Sequence, residues 1–186
     1  EQTYFGGSAQ SASGDFDADG MTNGEEFASG FNPTVDDGFQ DADGDRYPNV
    51  FEVRRGSDPN SAASTPTADY TVDGAGGGTH TTISAAVGAA TIAAGGAYQI
   101  IAVAPGIYTG SANQITLTTS KPKFLFIGLQ GAGKTVLDGV DRTSSGWDIN
   151  NSAVISSLTF RNWWRALYVE APSKEVRFVD LIVRDN

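Results

Sequence analysis

Two short stretches concentrate side chains that could bind a cation: Asp15-Phe-Asp-Ala-Asp-Gly-Met-Thr-Asn-Gly-Glu-Glu26 and Asp41-Ala-Asp-Gly-Asp-Arg-Tyr-Pro-Asn-Val-Phe-Glu52. In each, carboxylates stand at positions 1, 3, 5 and 12 of a twelve-residue window, with asparagine at position 9. Alternating acids on a loop aim several oxygens at one point, which suits a hard cation that takes six to eight oxygen ligands. The twelve-residue solution for calcium uses side chains from positions 1, 3, 5 and 9, a backbone carbonyl from 7 and a bidentate glutamate from 12. The first loop then offers Asp15, Asp17, Asp19, Asn23, the Met21 carbonyl and Glu26, with Gly20 at the turning position 6. The second offers Asp41, Asp43, Asp45, Asn49, the Tyr47 carbonyl and Glu52, with Arg46 in place of the glycine. The expectation is two calcium ions, the second held more weakly. A non-glycine residue at positive φ costs on the order of 1 kcal/mol, and the arginine brings a cation near the ion. Magnesium, which keeps several waters and takes few carboxylates, fits less well.

Charge supports the same reading. The chain has 186 residues and a net charge of −10. Residues 1–60 hold 13 of its 22 acids and three of its 12 bases, so they carry all of that charge. Such a segment repels itself unless a cation neutralises it. An acidic disordered tail would have irregular spacing, and this spacing is regular. The balance argues against nucleic acid and against an anionic membrane surface. Without cysteine there is no disulfide framework and no thiolate metal site. No apolar run approaches the 18 residues of a membrane span, and Glu1 does not open a signal peptide, so any targeting segment would already have been removed.

The elements that must position these loops follow from a repeat. The two windows superpose at an offset of 26 residues, and the match runs on into Gly30-Phe-Asn-Pro33 and Gly56-Ser-Asp-Pro59. Each unit reads as acidic loop, short helix, glycine cap and terminating proline, with Pro48 suited to a helix start. A unit this small has little core and needs metal to fold. The expected organisation is an N-terminal extension at 1–14, tandem repeats at 15–60, a small, polar linker at 61–69 and a second domain at 70–186.

That second domain changes texture. Residues 82–94 can form one amphipathic helix, with Ile83, Ala86, Val87 and Ala90 on one face. Short β-type runs follow at 98–103, 115–118, 124–127, 136–138, 147–149, 153–160, 167–169 and 176–183. Ala153, Ile155, Leu158, Phe160 and Asn162 recur 23 residues later as Val176, Phe178, Leu181, Val183 and Asp185. Alternating apolar residues repeated at that spacing are what stacked rungs of a parallel β-helix require. A β-sandwich would also give short strands, but without such a repeat.

Residues 15–59 resemble the tandem calcium repeats of the thrombospondin type 3 and dockerin-like kind, common in secreted bacterial proteins, with Arg46 as the departure. Thr81-Thr-Ile-Ser-Ala-Ala86, Val103-Ala-Pro-Gly-Ile-Tyr108, Leu125-Phe-Ile-Gly128 and Gly133-Lys-Thr-Val-Leu-Asp-Gly139 resemble the N-terminal part of right-handed parallel β-helix proteins of the pectate lyase and pectin methylesterase superfamily. That resemblance implies a mainly β fold, a right-handed parallel β-helix behind a capping helix. It implies no chemistry for these residues. Arg165 stands where pectin methylesterases have a catalytic glutamine, just before Ala166-Leu-Tyr-Val169, and the family's catalytic aspartates and arginine would lie beyond Asn186.

Other motifs carry less. Gly128-Leu-Gln-Gly-Ala-Gly-Lys-Thr135 is a literal phosphate-loop pattern, but Val136-Leu-Asp-Gly139 after it is β-type, and phosphate binding needs a helix there. It reads as a tight turn with Lys134 and Thr135 facing solvent. His80, the single histidine, reads as a helix-entry or packing residue. Asp138/Asp141 and Asp180/Asp185 are spaced as turn residues, with no partner basic enough to suggest a tuned acid–base pair. Trp163, Trp164 and Tyr168, around Arg165, form an aromatic group that could stack on sugar rings, line an interface or simply pack over the solenoid.

The chain ends on a rung, and an uncapped rung leaves apolar positions and strand edges open. The expectation is therefore either a piece of a longer β-helix or self-association through the open end, which builds a fibre if it does not close. The leading functional expectation is a secreted, non-catalytic calcium-binding β-helix protein with a structural or adhesive role. The alternative is the N-terminal portion of a polysaccharide-active enzyme, a lyase or esterase, whose catalytic residues lie elsewhere.

Overall fold

The structure, a computed structural model, describes residues 2–6, 10–92, 96–170 and 174–186. The chain divides into two compact units, Glu1–Thr67 and Ala68–Asn186, with the boundary inside the expected linker.

In the first unit the helices are one to two turns long: α1 (Gln2–Phe5), α2 (Asn23–Ser29) and α3 (Asn49–Arg55). Helix α2 starts on a reciprocal cap, in which the Glu25 amide donates to Thr22 Oγ1 and the Thr22 amide to Glu25 Oε2. Helix α3 starts at Pro48 without a side-chain cap. Both end on a glycine in the left-handed region, Gly30 (φ 84°) and Gly56 (φ 75°), as the repeat predicts. The buried apolar residues of this unit are few, chiefly Met21, Tyr47, Val50 and Phe51.

The repeat starts earlier than the acidic loops. The Asn23 amide donates to the Gly14 carbonyl (2.7 Å) and the Gly24 amide to Ala12 (2.9 Å). Twenty-six residues on, Asn49 donates to Gln40 (2.9 Å) and Val50 to Gly38 (2.8 Å). Residues 11–14 thus lead into the first loop as residues 37–40 lead into the second. Residues 1 and 7–9 of the expected extension lie outside the described residues.

The second unit is mainly β, and every strand pairing among the described residues is parallel. Strands β1 (Tyr70–Val72), β2 (Gln99–Val103), β5 (Phe124–Gly128), β8 (Ala153–Ser156) and β11 (Val176–Val179) form one sheet. A second contains β3 (Gly106–Thr109), β6 (Thr135–Asp138), β9 (Thr159–Arg161) and β12 (Ile182–Arg184). The third contains β4 (Ile115–Leu117), β7 (Ser145–Ile149) and β10 (Arg165–Val169). From β2 onward the chain visits the three sheets in rotation, so each circuit lies on the one before it.

The expected 23-residue offset is the register of the last two circuits, with Ala153 opposite Val176, Ile155 opposite Phe178 and Phe160 opposite Val183. Earlier circuits differ: Phe124 pairs with Ala153, 29 residues on, and Ile115 with Trp147, 32 on. Turns of unequal length account for this, which is why the repeat shows once in the sequence. The runs 153–160 and 176–183 are each two strands. Ser157 (φ 58°) and Asp180 (φ 46°) turn a corner in the left-handed region, and Ser157 Oγ meets Asp180 Oδ2 at 3.2 Å. Strands β1 and β3 lie outside the runs recognised from sequence.

Helix α4 (Ile83–Ala89) is shorter than the expected 82–94, since Ala90 is already extended; Ala93 and Ala94 lie outside the described residues. It buries Ile83, Ala86, Val87 and Ala90 in the same cluster as Ile101, Phe126, Leu137, Trp147, Ile155 and Phe160. Buried Asn113 anchors its start, accepting from the Ile83 amide (3.2 Å). Lys121 Nζ donates to the Gly88 carbonyl at its end (3.0 Å), where a cation is favoured. On the last circuit Phe178, Ile182 and Val183 are exposed, as is Val169 at the end of β10. No helix among the described residues is long and apolar enough to cross a membrane.

Candidate metal centre

One oxygen of most loop aspartates folds the loop. Asp15 Oδ2 accepts from the Gly20 amide (3.1 Å), Asp17 Oδ1 from Asp19 (3.3 Å) and Asp19 Oδ1 from Met21 (2.8 Å). The second loop repeats this: Asp41 Oδ2 with Arg46 (2.8 Å), Asp43 Oδ1 with Asp45 (3.1 Å) and Asp45 Oδ1 with Tyr47 (2.7 Å). Asp17 Oδ2, Asp43 Oδ2, Asp45 Oδ2, both Oε atoms of Glu26 and Glu52 Oε2 are buried without a hydrogen-bond partner. Carboxylate oxygens of Asp15, Asp17 and Asp19 lie within 4.8 Å of one another, as do those of Asp41, Asp43 and Asp45.

Glu26 and Glu52 are 0% exposed. Burial, reinforced by the neighbouring aspartates, raises each from an ordinary 4.5 to about 8. Asp17 and Asp45 are raised as well, again chiefly by burial. A buried, unpartnered carboxylate among like charges is a costly arrangement. A bound cation reverses that cost, because it supplies the missing partner and favours the ionised form. These acidic groups can hold a metal ion.

Asn23 and Asn49, read from spacing as ligands, have both ends of their amides engaged. Asn23 Oδ1 accepts from the Phe16 amide (3.2 Å) and Nδ2 donates to the Ser11 carbonyl (2.8 Å). Asn49 does the same with Ala42 (3.0 Å) and Asp37 (2.9 Å). Position 9 thus staples the lead-in segment and loop start to the helix. Arg46 has φ 86°, as a glycine-like position would. Its backbone strain is not peculiar to the second loop, since Ala18 has φ 63° in the first while Gly44 relieves the matching position in the second. What distinguishes the loops is charge.

Asp37 was not among the residues recognised from spacing. It precedes the second loop, yet oxygens of Asp19, Glu26 and Asp37 lie within 4.8 Å of one another. Its Oδ1 is buried without a partner, and burial with the Asp19 and Asp17 charges raises it to about 6. Position 63, where a further repeat would place its counterpart, is alanine. The spacing rule covers one loop at a time and cannot see this residue.

The aromatic group divides. Trp163 is fully buried in the core and its Nε1 donates to the Leu137 carbonyl (3.0 Å), so it cannot stack on a ligand. Trp164 (67% exposed) and Tyr168 (39%) remain outside. Arg165 lies over both rings and pairs with Asp148 at 3.1 Å. A polar depression lined by Ser111, Gln114, Thr116, Ser145 and Asp148 lies beside that ion pair.

Residues 128–135 cross from β5 into strand β6, with no helix after Lys134. Lys134 is exposed as expected, but Thr135 is fully buried in the β6 ladder, contrary to the expected solvent position. His80 packs edge-on to Tyr70 and its Nδ1 meets Thr79 Oγ1 at 3.0 Å. Asp138 accepts from Asn162 (2.9 Å), the Val140 amide (2.8 Å) and Arg161 (2.8 Å). Burial pushes its carboxyl up, but these donors outweigh it and hold the group below its usual range. That is a structural corner. Compared with protein-family models, with curated proteins and with solved structures, the chain has no match.

Proposed function

We propose that this chain is a secreted, non-catalytic calcium-binding protein with a structural or adhesive role. In this reading tandem thrombospondin type 3 or dockerin-like loops precede a right-handed parallel β-helix of the pectate lyase-like kind. The observation that carries it is the pair of fully buried glutamates beside the aspartates, Glu26 with neither oxygen partnered and Glu52 with Oε2 unpartnered. The many oxygens per site favour calcium over magnesium. The ions are scaffold: they stabilise a unit whose apolar core is small, and a ligand at 100 times its Kd adds about 2.7 kcal/mol. Calorimetric titration of the metal-free chain with calcium tests this. Two binding events and a rise in melting temperature are expected, with a much smaller response to magnesium. An unchanged melting temperature would refute a structural ion. Head-to-tail self-association through the β11 and β12 edge belongs to the same reading, and sedimentation as a monomer at all concentrations would remove it.

A second reading, part of a polysaccharide-active protein, is favoured by one feature: exposed Trp164 and Tyr168 beside a polar depression. Stacking plus hydrogen bonding is how sugars are held. Retention on insoluble polysaccharide, lost in Trp164→Ala, would support it.

A further inference from the structure

The two acidic loops are not independent. We infer that Asp37, borne by the segment that leads into the second loop, is the fifth carboxylate of the first metal site, so that filling the first site orders the start of the second. This rests on the calcium reading above and adds an order of binding to it.

Three observations carry the inference. First, Asp37 Oδ1 is buried and unpartnered, and it converges with Asp19 and with Glu26, which is 0% exposed and has no partner at either oxygen. Second, the same segment is tied to the first loop through its backbone. The Asp37 amide (3.1 Å) and the Gly38 amide (2.5 Å) both donate to Asp19 Oδ2. A side chain at Gly38 would run into the Asp19 backbone and carboxylate, so the close approach requires glycine. Arg54, on the second repeat's helix, also donates to the Gly20 carbonyl.

Third, the second loop lacks this completion. Asp45 Oδ2, the counterpart of Asp19 Oδ2, is buried without a donor, and the counterpart of Asp37 is Ala63. In its place the Ser57 hydroxyl reaches Glu52 Oε1 at 3.4 Å. The lead-in segment also holds the second loop, since the Asp37 carbonyl accepts from Asn49 Nδ2 (2.9 Å) and the Gly38 carbonyl from Val50 (2.8 Å). One segment therefore feels both sites. A cation held by five carboxylates binds first and more tightly, and it fixes the segment on which the second loop closes.

The test is calorimetric titration of the intact 186-residue chain with calcium, comparing wild type with Asp37→Asn, Asp36→Asn and Glu52→Gln. Asp36 is the exposed neighbour and serves as control. Asp37→Asn should weaken the tighter event about tenfold or more, as ligand charge sets affinity, and should also weaken the second. Glu52→Gln should remove the weaker event and leave the tighter one. Melting adds a readout that a packing role would not give. Removing a repelled charge should raise the melting temperature of Asp37→Asn in chelator and lower it in calcium, relative to wild type. Identical titrations for Asp37→Asn and Asp36→Asn overturn the inference, as does loss of the tighter event in Glu52→Gln. No calcium uptake by the unmodified chain sinks the calcium reading itself, and this step with it.

Discussion

Glu25 and Glu26 are adjacent and chemically identical, yet the fold gives them opposite tasks. Glu25 turns back to the Thr22 amide and caps α2, while Glu26 is buried against the aspartates with neither oxygen paired. The cost of that burial sets a pH dependence. Below about 4.5 the glutamates are protonated in both folded and unfolded chain and contribute nothing. Between 4.5 and about 8 the unfolded chain releases protons that folded Glu26 and Glu52 retain, so folding grows less favourable as pH rises. In chelator, the melting midpoint of the loop unit should fall between pH 5 and pH 8.5, followed by circular dichroism. Saturating calcium should abolish the fall. Glu26→Gln should flatten part of the chelated profile and remove one calcium site, which titration at neutral pH would count.

At the scale of elements, the parallel ladders depend on how closely successive circuits approach. Gly128 ends β5 where the next circuit's Ser157 carbonyl occupies the space a methyl group would need. Gly133, in the turn that follows, has open space around it. Gly128→Ala should cost about 3 kcal/mol as an overpacked position. Gly133→Ala should stay within about 0.5 kcal/mol of wild type. Urea unfolding of the two variants makes the comparison. Trp147 is the other pivot. It is fully buried, with ring centroids 4.6 Å from Phe126 and 5.1 Å from Phe160, and its Nε1 donates to Asn113 (2.9 Å). Trp147→Ala should cost about 3–5 kcal/mol, read as a lower midpoint for the β unit in the same experiment.

For the whole molecule, the division into two units separates two sources of stability. The β unit has a continuous apolar cluster running from Val72 to Ala166, whereas the first unit has a handful of buried apolar residues and most of the acids. Differential scanning calorimetry should show two transitions, with calcium moving one. Trp147→Ala should move the other while leaving the calcium response intact. A single transition shifted equally by calcium and by Trp147→Ala would contradict that separation.

The acidic loops, the glycine caps and the mainly β character of the second unit are local properties, and local residue order was enough to determine them. Alternation at 153–160 and the spacing of Asp15, Asp17 and Asp19 each depend on neighbours a few positions apart, and the 26-residue offset repeats such a local pattern. The tertiary structure decided whatever depends on which distant segments meet. Trp163 and Trp164 are the same residue type side by side, but the corner at Asn162 (φ 57°) sends one into the core and leaves the other in solvent. Strand β3 has an exposed Ile107 and gains its identity from pairing with β6. Asp37 reaches Glu26 because a second repeat folds back on the first. No spacing rule contains that contact, since it arises from packing two repeats together and not from the period of either one.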